Sequence, residues 1–218
     1  LVRRTSHGVR LTPMGTMLAR HGEIIADRVE RARREMEDYK HRRFAHLTLV
    51  APPSICSTIA ASTVVNLSMF TDIELSLNQM EPPEAVEQIS RGSADAAVIF
   101  QYRSIPDFLS IGEDLVFHPL GLDPMRLLAR RSSVTAKAFE ETGEPVDLIS
   151  VREEHWIAGC PFCRANLLKL ASRAGFEADI RHPTDDYWAT QNLVEGGMGV
   201  ALVPALDTRI HLSGDLVA

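Results

Sequence analysis

The residues best suited to chemistry in this 218-residue chain are the two thiols of Cys160-Pro161-Phe162-Cys163. The apolar run HWIAG precedes them and a helical pattern follows, which predicts that the motif lies at the N-terminus of a helix. Two thiols at this spacing can form and break a disulfide, and the helix N-terminus favours the thiolate of Cys160. Cys160 and Cys163 therefore have three possible roles, as pocket-lining, redox or metal-binding residues.

A metal site or a catalytic thiol would require further residues. Cys56 begins another predicted helix and offers a third thiolate, but no fourth zinc ligand is evident. An oxidoreductase similar to glutaredoxin would need a Thr-Val-Pro segment after the motif, and neither Pro183 nor Pro204 provides one. The pocket-lining role is therefore favoured, no metal or cofactor is predicted, and a CxxC thiol oxidoreductase remains an alternative.

Other enzyme signatures are missing from the sequence. It contains no G-x-S-x-G, no H-E-x-x-H and no G-x-x-x-x-G-K-[ST] pattern. The glycine-rich GGMGVAL stretch follows a predicted helix and precedes a strand, whereas a phosphate loop requires the opposite order. We therefore expect that the chain is not an enzyme.

Composition indicates a globular protein with an uneven charge distribution. Hydrophobic residues make up 45% and charged residues 24%, and no run reaches the ~20 apolar residues of a membrane helix. No secretory signal is visible and there are three cysteines, so we expect a cytoplasmic protein without a membrane partner. Residues 1–43 carry 11 Lys and Arg against 6 Asp and Glu, although the whole chain has a net charge of −6. A basic end on an acidic body indicates either a polyanion partner at that end or an arginine-rich solvated helix.

The basic end contains a long predicted helix. Thr12 and Pro13 form a strong helix start, because threonine caps free N–H groups and proline suits the first helical position. Apolar or small residues then recur at alternating steps of four and three, as in a coiled-coil seam. The seam predicts a dimerisation helix, with a helix packed on its own chain as the alternative. Its residues are Leu18, Gly22, Ile25, Val29, Ala32, Met36 and Tyr39.

From residue 46 onward, short apolar runs alternate with helical patterns. The predicted strands are 46–51, 73–77, 95–100, 124–130, 155–159, 178–182 and 200–204. This alternation predicts an α/β fold of two Rossmann-like subdomains with largely parallel sheets. Ligands in such sheets bind outside the carboxyl ends of the strands.

Three stretches in order resemble LysR-type transcriptional regulators. The first includes Leu1, Arg4, Gly8-Val9, Leu11-Thr12 and Gly15; the others are QISRGSADAAVIF and NLVEGGMGVALVP. The resemblance implies a linker helix and an effector domain of periplasmic-binding-protein type, in which a small molecule binds between the subdomains.

The resemblance also implies domain boundaries. These are a wing remnant of the winged helix-turn-helix at 1–11, the linker helix at 12–42, effector subdomains at 43–124 and 125–204, and a truncated return segment at 205–218. On this interpretation the chain is a fragment or a truncated product without a recognition helix. Hinges are expected near 123–130 and 203–206, the second of them where the chain returns to the first subdomain.

The effector-binding prediction combines the family's cleft with residues at the ends of predicted strands. An anionic metabolite is the expected effector class, because Ser54 begins a helix whose N–H groups and dipole attract anions. The alternative for Ser54, Thr184 and Asp185 is simple helix capping. The predicted effector-binding residues are Ser54, Gln79, Met80, Phe100, Gln101, Tyr102, Gly159, Cys160, Thr184, Asp185 and Met198.

The expected partners follow from the same resemblance. Arg3, Arg4, His7 and Arg10 would approach the DNA backbone from the wing, positioning rather than specifying the complex. The alternative is a wing that is frayed or in a non-native position without the rest of its domain. The predicted partners are a small-molecule effector, DNA in the full-length protein, and further copies of the chain in a homodimer or homotetramer. The alternative of another class is a stand-alone small-molecule binding protein of periplasmic-binding type.

Overall fold

The computed structural model divides the chain into two compact units. It describes residues 1–5, 8–41, 46–70, 73–106, 109 and 115–218, with the side chains of residues 34, 35, 38, 40 and 41 excepted. The first unit comprises Leu1–Ile99 and Leu115. The second comprises residues 100–106, 109 and Val116–Ala218.

The first unit begins with a hairpin and a long helix. Strands β1 (Val2–Thr5) and β2 (Gly8–Leu11) pair antiparallel, and helix α1 follows as Pro13–His41. The Thr12 hydroxyl accepts a hydrogen bond from the Gly15 N–H at 3.1 Å, which confirms the predicted cap. A Cβ at Gly15 would collide with the Leu1 carbonyl oxygen, so glycine allows the hairpin to pass close to the helix.

A three-stranded parallel sheet forms the body of the first unit. Strands β3 (His46–Ala51), β4 (Glu74–Gln79) and β5 (Ala96–Ala97) lie in the order β4-β3-β5. A continuous helical stretch, Pro53–Phe70, crosses from β3 to β4 as α2 (Pro53–Ile55), a π-helical turn (Cys56–Ala60) and α3 (Ala61–Phe70). Helix α4 (Pro82–Arg91) ends at Gly92, whose φ of 73° is the left-handed conformation of a helix C-terminus.

Helix α1 is attached to this body by charged side chains. The Arg31 guanidinium donates to the Gly92 carbonyl oxygen at 2.7 Å and to the Asp95 carboxylate at 2.6 Å. The same carboxylate accepts from the Thr48 N–H at 2.9 Å, and Glu23 pairs with Arg91 at 3.5 Å. The middle and C-terminal part of α1 are therefore connected to the amino-terminal part of β3, to α4 and to the turn after α4.

The second unit contains a five-stranded mixed sheet in the order β10-β6-β9-β7-β8. Strand β7 pairs parallel with β8 and β9, whereas β6 is antiparallel to β9, and β10 is antiparallel to β6. The prediction of largely parallel sheets therefore holds for the first unit but not for this one. The strands are β6 (Met125–Arg130), β7 (His155–Ile157), β8 (Asp179–His182), β9 (Val200–Pro204) and β10 (Leu216–Val217).

Helices cover both faces of this sheet. Helix α5 (Val134–Thr142) and a 3-10 turn (Leu148–Val151) precede β7. Helix α6 (Pro161–Arg173) follows β7, α7 (Tyr187–Glu195) follows β8, and α8 (Ala205–Thr208) follows β9.

Side chains along a strand alternate between the two faces of this sheet, so neighbouring residues pack into different hydrophobic clusters. Trp156 packs with Leu167 of α6, and Ile157 packs with Val194 of α7.

The chain passes between the units earlier than the sequence predicts. Residues 100–106 already belong to the second unit, and from Val116 the chain stays there, so the boundary predicted at 124/125 is displaced. The predicted return at 203–206 is wrong for the residues present, because residues 205–218 remain in the second unit. There β10 completes the edge of the sheet by pairing Leu216 with Arg130.

By length and composition alone, one helical stretch of the described chain, Pro53–Phe70, meets the criterion for a membrane span. Core helices of soluble proteins meet the same criterion, so this stretch alone does not indicate a membrane protein. Its side chains are mostly exposed in the single chain, and its exposed apolar residues include Ile59, Val65, Leu67, Met69 and Phe70.

Candidate functional site

The carboxyl edge of the first sheet brings Ser54, Gln79 and Met80 together. Ala51 and Gln79 are partners in the parallel register of β3 and β4, and the Met80 N–H donates to the Ala51 carbonyl oxygen at 2.9 Å. Ser54 follows β3 directly, is 5% exposed and stands in the first turn of the helical stretch. No described residue forms a hydrogen bond with its hydroxyl, and the hydroxyl is not among the fully buried unpaired polar atoms, so it keeps access to solvent and is available to a ligand.

The π-helical turn after Ser54 shapes the same edge. The Thr58 hydroxyl donates to the Ser54 carbonyl oxygen at 2.5 Å, and the Ser57 hydroxyl donates to the Pro53 carbonyl oxygen at 2.7 Å. Such back-bonding bends helices, and π-turns occur frequently at functional sites. The Cys56 thiol lies 3.1 Å from the Ala51 carbonyl oxygen, and burial raises its pKa, which makes it less reactive than an ordinary thiol.

The carboxyl edge of the second sheet brings Gly159, Cys160, Thr184 and Asp185 together. A Cβ at Gly159 would collide with the backbone of Thr184 and Asp185, so the loops after β7 and β8 are in direct backbone contact. The helix cap, however, is one residue later than predicted. Asp186 caps α7 by accepting from the Ala189 N–H at 3.0 Å, while the Thr184 hydroxyl accepts from the Asp186 N–H.

Met198 does not lie at this edge, contrary to the prediction. It precedes β9, which runs parallel to β7 with Trp156 opposite Val200. A residue before a parallel strand lies at the amino-terminal edge of the sheet, opposite to the edge at which Cys160 lies. A Cβ at the adjacent Gly199 would meet the His155 carbonyl oxygen, which confirms that this turn lies beside the start of β7.

Cys160 and Cys163 are joined by a disulfide at the start of α6. Cys160 is the helix N-cap, and its sulfur accepts from the Cys163 N–H at 3.0 Å. Cys160 is only 2% exposed, whereas Cys163 is partly accessible. The oxidoreductase alternative is not supported, because such an enzyme exposes the first thiol of the motif as its nucleophile. The described residues contain no group of three or more His, Cys, Asp or Glu arranged for a metal.

Residues 100–106 pack on the first turns of α6 within the second unit. The Phe100 ring lies 6.1 Å from the Phe162 ring, and 5.2 Å from the Tyr102 ring. Gln101 is exposed and donates from its side chain to the Pro106 carbonyl oxygen. Phe100 therefore has a packing role in addition to its predicted role at the site.

The wing arginines lie on an exposed hairpin. Arg3 and Arg10 are direct cross-strand partners, so their side chains share one face, while Arg4 faces the opposite side. Two positive charges on one face are suited to phosphate groups on a polyanion. His7 lies outside the residues that the structure describes.

The predicted seam of α1 is exposed in the single chain. Leu18, Ile25, Val29 and Met36 are between 53% and 64% exposed, and Ala32 is exposed as well. The seam is therefore not buried against its own chain, contrary to the alternative of a helix packed along its length.

Comparison with known proteins identifies the family. A family model described as the LysR substrate binding domain matches residues 41–218, most of the chain. The chain belongs to the LysR family of transcriptional regulators. This membership does not favour the alternative of a stand-alone binding protein.

One curated relative of the LysR-family chain is the uncharacterized HTH-type transcriptional regulator YiaU of Escherichia coli (strain K12). The two are 32% identical over 74 residues, which is 34% of this chain and 23% of YiaU. The match thus spans about a quarter of the length of that relative.

Solved structures of LysR-type regulators share the fold. The CcmR regulatory domain of Synechocystis PCC6803, in complex with 2-PG, has a TM-score of 0.65 at 16% identity, covering 79% of each chain. The BenM effector binding domain with its effector benzoate has a TM-score of 0.64 at 17% identity, covering 79% of this chain and 75% of that one. Full-length CbnR, complexed with its target DNA, has a TM-score of 0.56 at 18% identity, covering 100% of this chain and 71% of that one. The fold is therefore the two-subdomain, periplasmic-binding-like fold of LysR effector domains.

Two features of the LysR-type chain have no signal in the sequence. Asp207 in α8 is 4% exposed, and burial raises the pKa of its carboxyl group to about 6. Arg31 is one of many arginines in α1, and only the structure shows that it is the one bound to Asp95. A buried carboxyl group and a linker-helix anchor both depend on contacts between distant residues, which composition and periodicity do not encode.

Proposed function

We propose that this protein is the effector-responsive part of a LysR-type regulator that binds a small anionic metabolite at the carboxyl edge of its first sheet. The observation that carries the proposal is Ser54, a buried serine in the first turn of a helical stretch whose hydroxyl has no partner among the described residues. Helix N-termini favour anions through free N–H groups and the helix dipole. The benzoate bound by the BenM effector domain is a carboxylate, which supports this ligand class.

Gln79 and Met80 complete the proposed site in the first unit. Gln79 is exposed and its side-chain amide can donate or accept, while Met80 is partly buried and offers a polarizable apolar surface. In the second unit, Gly159, Thr184 and Asp185 stay predicted contacts at the corresponding edge. Cys160 is less suited to ligand contact, because its side chain is nearly fully buried.

The proposed site predicts selectivity for carboxylates and a dependence on Ser54. In a calorimetric screen of aromatic and aliphatic carboxylates, each compared with its neutral amide, we expect binding of at least one acid and not of its amide. Ser54→Ala is expected to weaken that binding by about 10- to 100-fold, because a hydrogen bond to a charged group contributes about 1.5–3 kcal/mol.

Ser62→Ala is the matched control, because the exposed Ser62 hydroxyl donates to the Ile59 carbonyl oxygen further along the same helical stretch. It should bind the acid as the unmodified protein does. Amides that bind as well as acids, or equal affinities for the Ser54→Ala variant and the unmodified chain, would contradict the proposed site.

We further propose that α1 pairs with the α1 of a second copy through its exposed seam. A helix of 29 residues is roughly 44 Å long, and an apolar seam along it is stabilised by burial against a like seam. The stretch Pro53–Phe70 carries no charged residue and presents a second exposed apolar surface. Two separate surfaces of this kind are what a homotetramer with two kinds of two-fold interface would use.

Ile25→Glu is expected to disrupt the α1 pairing. The substitution places a charge in the seam, and loss of the buried side chain should weaken dimerisation by more than about tenfold, as measured by sedimentation equilibrium. Met17→Glu is the matched control, because Met17 is an exposed apolar residue of α1 outside the seam. A dimer that survives Ile25→Glu, or is lost equally with Met17→Glu, would exclude this interface.

The proposed DNA contact of the wing predicts a change in salt dependence. In the intact regulator, replacing Arg3 and Arg10 by serine should reduce the slope of log affinity against log salt by about 2, since each phosphate contact contributes roughly 0.9. Binding to specific and unrelated DNA should weaken alike, because phosphate contacts carry no sequence information.

Arg33→Ser provides the control for the wing, because Arg33 already pairs with Glu30 at 2.7 Å. For the Arg33→Ser variant, the slope of log affinity against log salt should match that of the unmodified regulator. An unchanged slope after loss of both Arg3 and Arg10 would remove the wing from the DNA interface.

A further inference from the structure

The start of α6 brings two sulfurs together independently of the proposed effector site. Cys160 is the N-cap and Cys163 is the third residue of the helix, and their Cα atoms are 5.2 Å apart. Disulfides join Cα atoms at about 4.4–6.8 Å, so the helix start alone sets a distance at which the bond can form.

The two sulfurs differ in access to solvent. Cys160, the N-cap of α6, is buried at 2% exposure, whereas Cys163 is only partly buried. A reagent from solution therefore reaches Cys163 first. This is the reverse of the order at a glutaredoxin-like active site, in which the first cysteine is the exposed nucleophile.

Residues 100–106 meet the accessible sulfur and the helix turn behind it. The Tyr102 hydroxyl lies 3.7 Å from the Cys163 sulfur, and the Ser104 hydroxyl donates to the buried Asn166 side chain at 2.6 Å. With the Phe100–Phe162 ring contact, these interactions connect the segment to one face of α6. A group added to Cys163 would occupy the space of the Tyr102 hydroxyl.

We propose that Cys160 and Cys163 form a reversible thiol–disulfide site that exchanges with low-molecular-weight thiols and disulfides through Cys163, and that its state alters the packing of residues 100–106. In oxidation, the Cys163 thiolate attacks one sulfur of an external disulfide RSSR, forming a mixed disulfide and releasing RS⁻. The Cys160 thiolate then attacks the Cys163 sulfur and releases the second RS⁻. Two protein thiols are oxidised, RSSR is reduced, and the two thiol protons end on two RSH molecules.

Reduction follows the reverse course. An external thiolate attacks the accessible Cys163 sulfur, the bond to Cys160 breaks, and a second thiol releases the adduct as RSSR. The Cys56 thiol is bound to the Ala51 carbonyl oxygen, and burial raises its pKa, so it is a weaker nucleophile than an ordinary thiol. Cys56 therefore serves as an internal reference thiol.

A titration in glutathione buffers tests the site without effector or DNA. The protein is equilibrated at graded ratios of reduced to oxidised glutathione and quenched with acid. Remaining thiols are alkylated with N-ethylmaleimide, and the intact mass is recorded. The chain has three cysteines, so we expect three labels in reducing buffer and one in oxidising buffer, with two labels lost together. Retention of three labels at every ratio, or loss of labels one at a time as stable adducts, would overturn the proposal.

Single variants test the order of attack. Cys160→Ser keeps an oxygen cap on α6 and leaves Cys163 without its resolving thiol, so a glutathione adduct should accumulate on Cys163. Cys163→Ser should acquire no adduct on the buried Cys160 over the same period. Cys56→Ser is the matched control and should still lose two labels together. Equal adduct formation in the Cys160→Ser and Cys163→Ser variants would contradict access through Cys163.

Hydrogen exchange tests the coupling to residues 100–106. Peptides covering this segment should show different amide protection in the reduced and oxidised protein. The difference should disappear in the Cys160→Ser/Cys163→Ser double variant. Equal protection in the two states of the unmodified protein would exclude the coupling. These experiments use no effector, so their failure would not count against the proposed effector site. Failure of the carboxylate screen would likewise not count against the thiol–disulfide site.

Discussion

Replacing Gly159 by alanine is expected to lower the free energy of unfolding of the second unit by about 3 kcal/mol or more. The added Cβ would overlap the Thr184 carbonyl carbon and the Asp185 nitrogen, which are backbone atoms that no side-chain rotation can move away. Overpacking of this kind typically costs about 1–3 kcal/mol, and a backbone clash lies at the upper end or beyond. Urea unfolding monitored by tryptophan fluorescence measures the loss, because Trp156 is fully buried in the same unit.

Gly214→Ala is the matched control for this prediction. A Cβ at Gly214 meets no atom within 4 Å, and the residue lies in the same unit. Its stability should stay within about 0.5 kcal/mol of that of the unmodified protein. A Gly159→Ala variant that is as stable as Gly214→Ala would mean that the loops after β7 and β8 are not in backbone contact.

Replacing Asp207 by asparagine is expected to stabilise the protein at pH 8 and to have little effect near pH 3.5. Burial raises the pKa of Asp207 from 3.8 to about 6, so the folded protein binds this proton more tightly than the unfolded chain does. The stabilisation by the protonated form is complete below about pH 3.8 and is lost as the pH rises through 6. Above that pH, the buried carboxylate costs about 2–3 kcal/mol relative to its neutral form.

Asparagine has a similar size and stays neutral, so the Asp207→Asn variant should avoid this cost at high pH. Free energies of unfolding, measured in urea at intervals between pH 3.5 and 8, should diverge from those of the unmodified protein across the range 3.8–6. Asp185→Asn, which removes an exposed carboxylate of the same unit, is the matched control for the loss of one charge. Parallel profiles for Asp207→Asn and the unmodified protein would show that Asp207 is not a buried acid in solution.

Local signals in the sequence predicted most elements of both units. The Thr12 cap, the helix end at Gly92 and the helix beginning after Cys160 depend on neighbouring residues, and the structure has each of them. Strand pairing depends on residues far apart in the chain, and there the prediction was incomplete. The two-residue strand β10 has no periodicity to detect, and nothing near Met125 indicates that β6 runs antiparallel to β9.

The position of each predicted site residue depends on whether it follows or precedes a strand. Ser54, Gln79, Gly159 and Thr184 directly follow or end parallel strands, so the position of each at a carboxyl edge is a consequence of strand direction. Met198 precedes a strand, and the same rule, applied with the correct direction, places it at the opposite edge.

The access of the two thiols could not be predicted from CPFC alone. Burial of Cys160 and partial exposure of Cys163 depend on the tertiary packing around the start of α6. Residues 100–106, which pack against that helix turn, are about 60 residues away in the sequence.

The attachments of α1 also set the length of the lever arm at its start. The helix is held to the body at two points before Arg31, where Glu23 pairs with Arg91 at 3.5 Å and Arg20 pairs with Glu87 at 3.6 Å. The arm beyond these contacts therefore runs from Arg20 to Pro13, which corresponds to roughly 10 Å of helix. A rotation of about 10° at Arg20 would move the start of the helix, and the hairpin before it, by roughly 2 Å. A larger displacement of the hairpin would require the ion pairs of Arg20 and Glu23 to open.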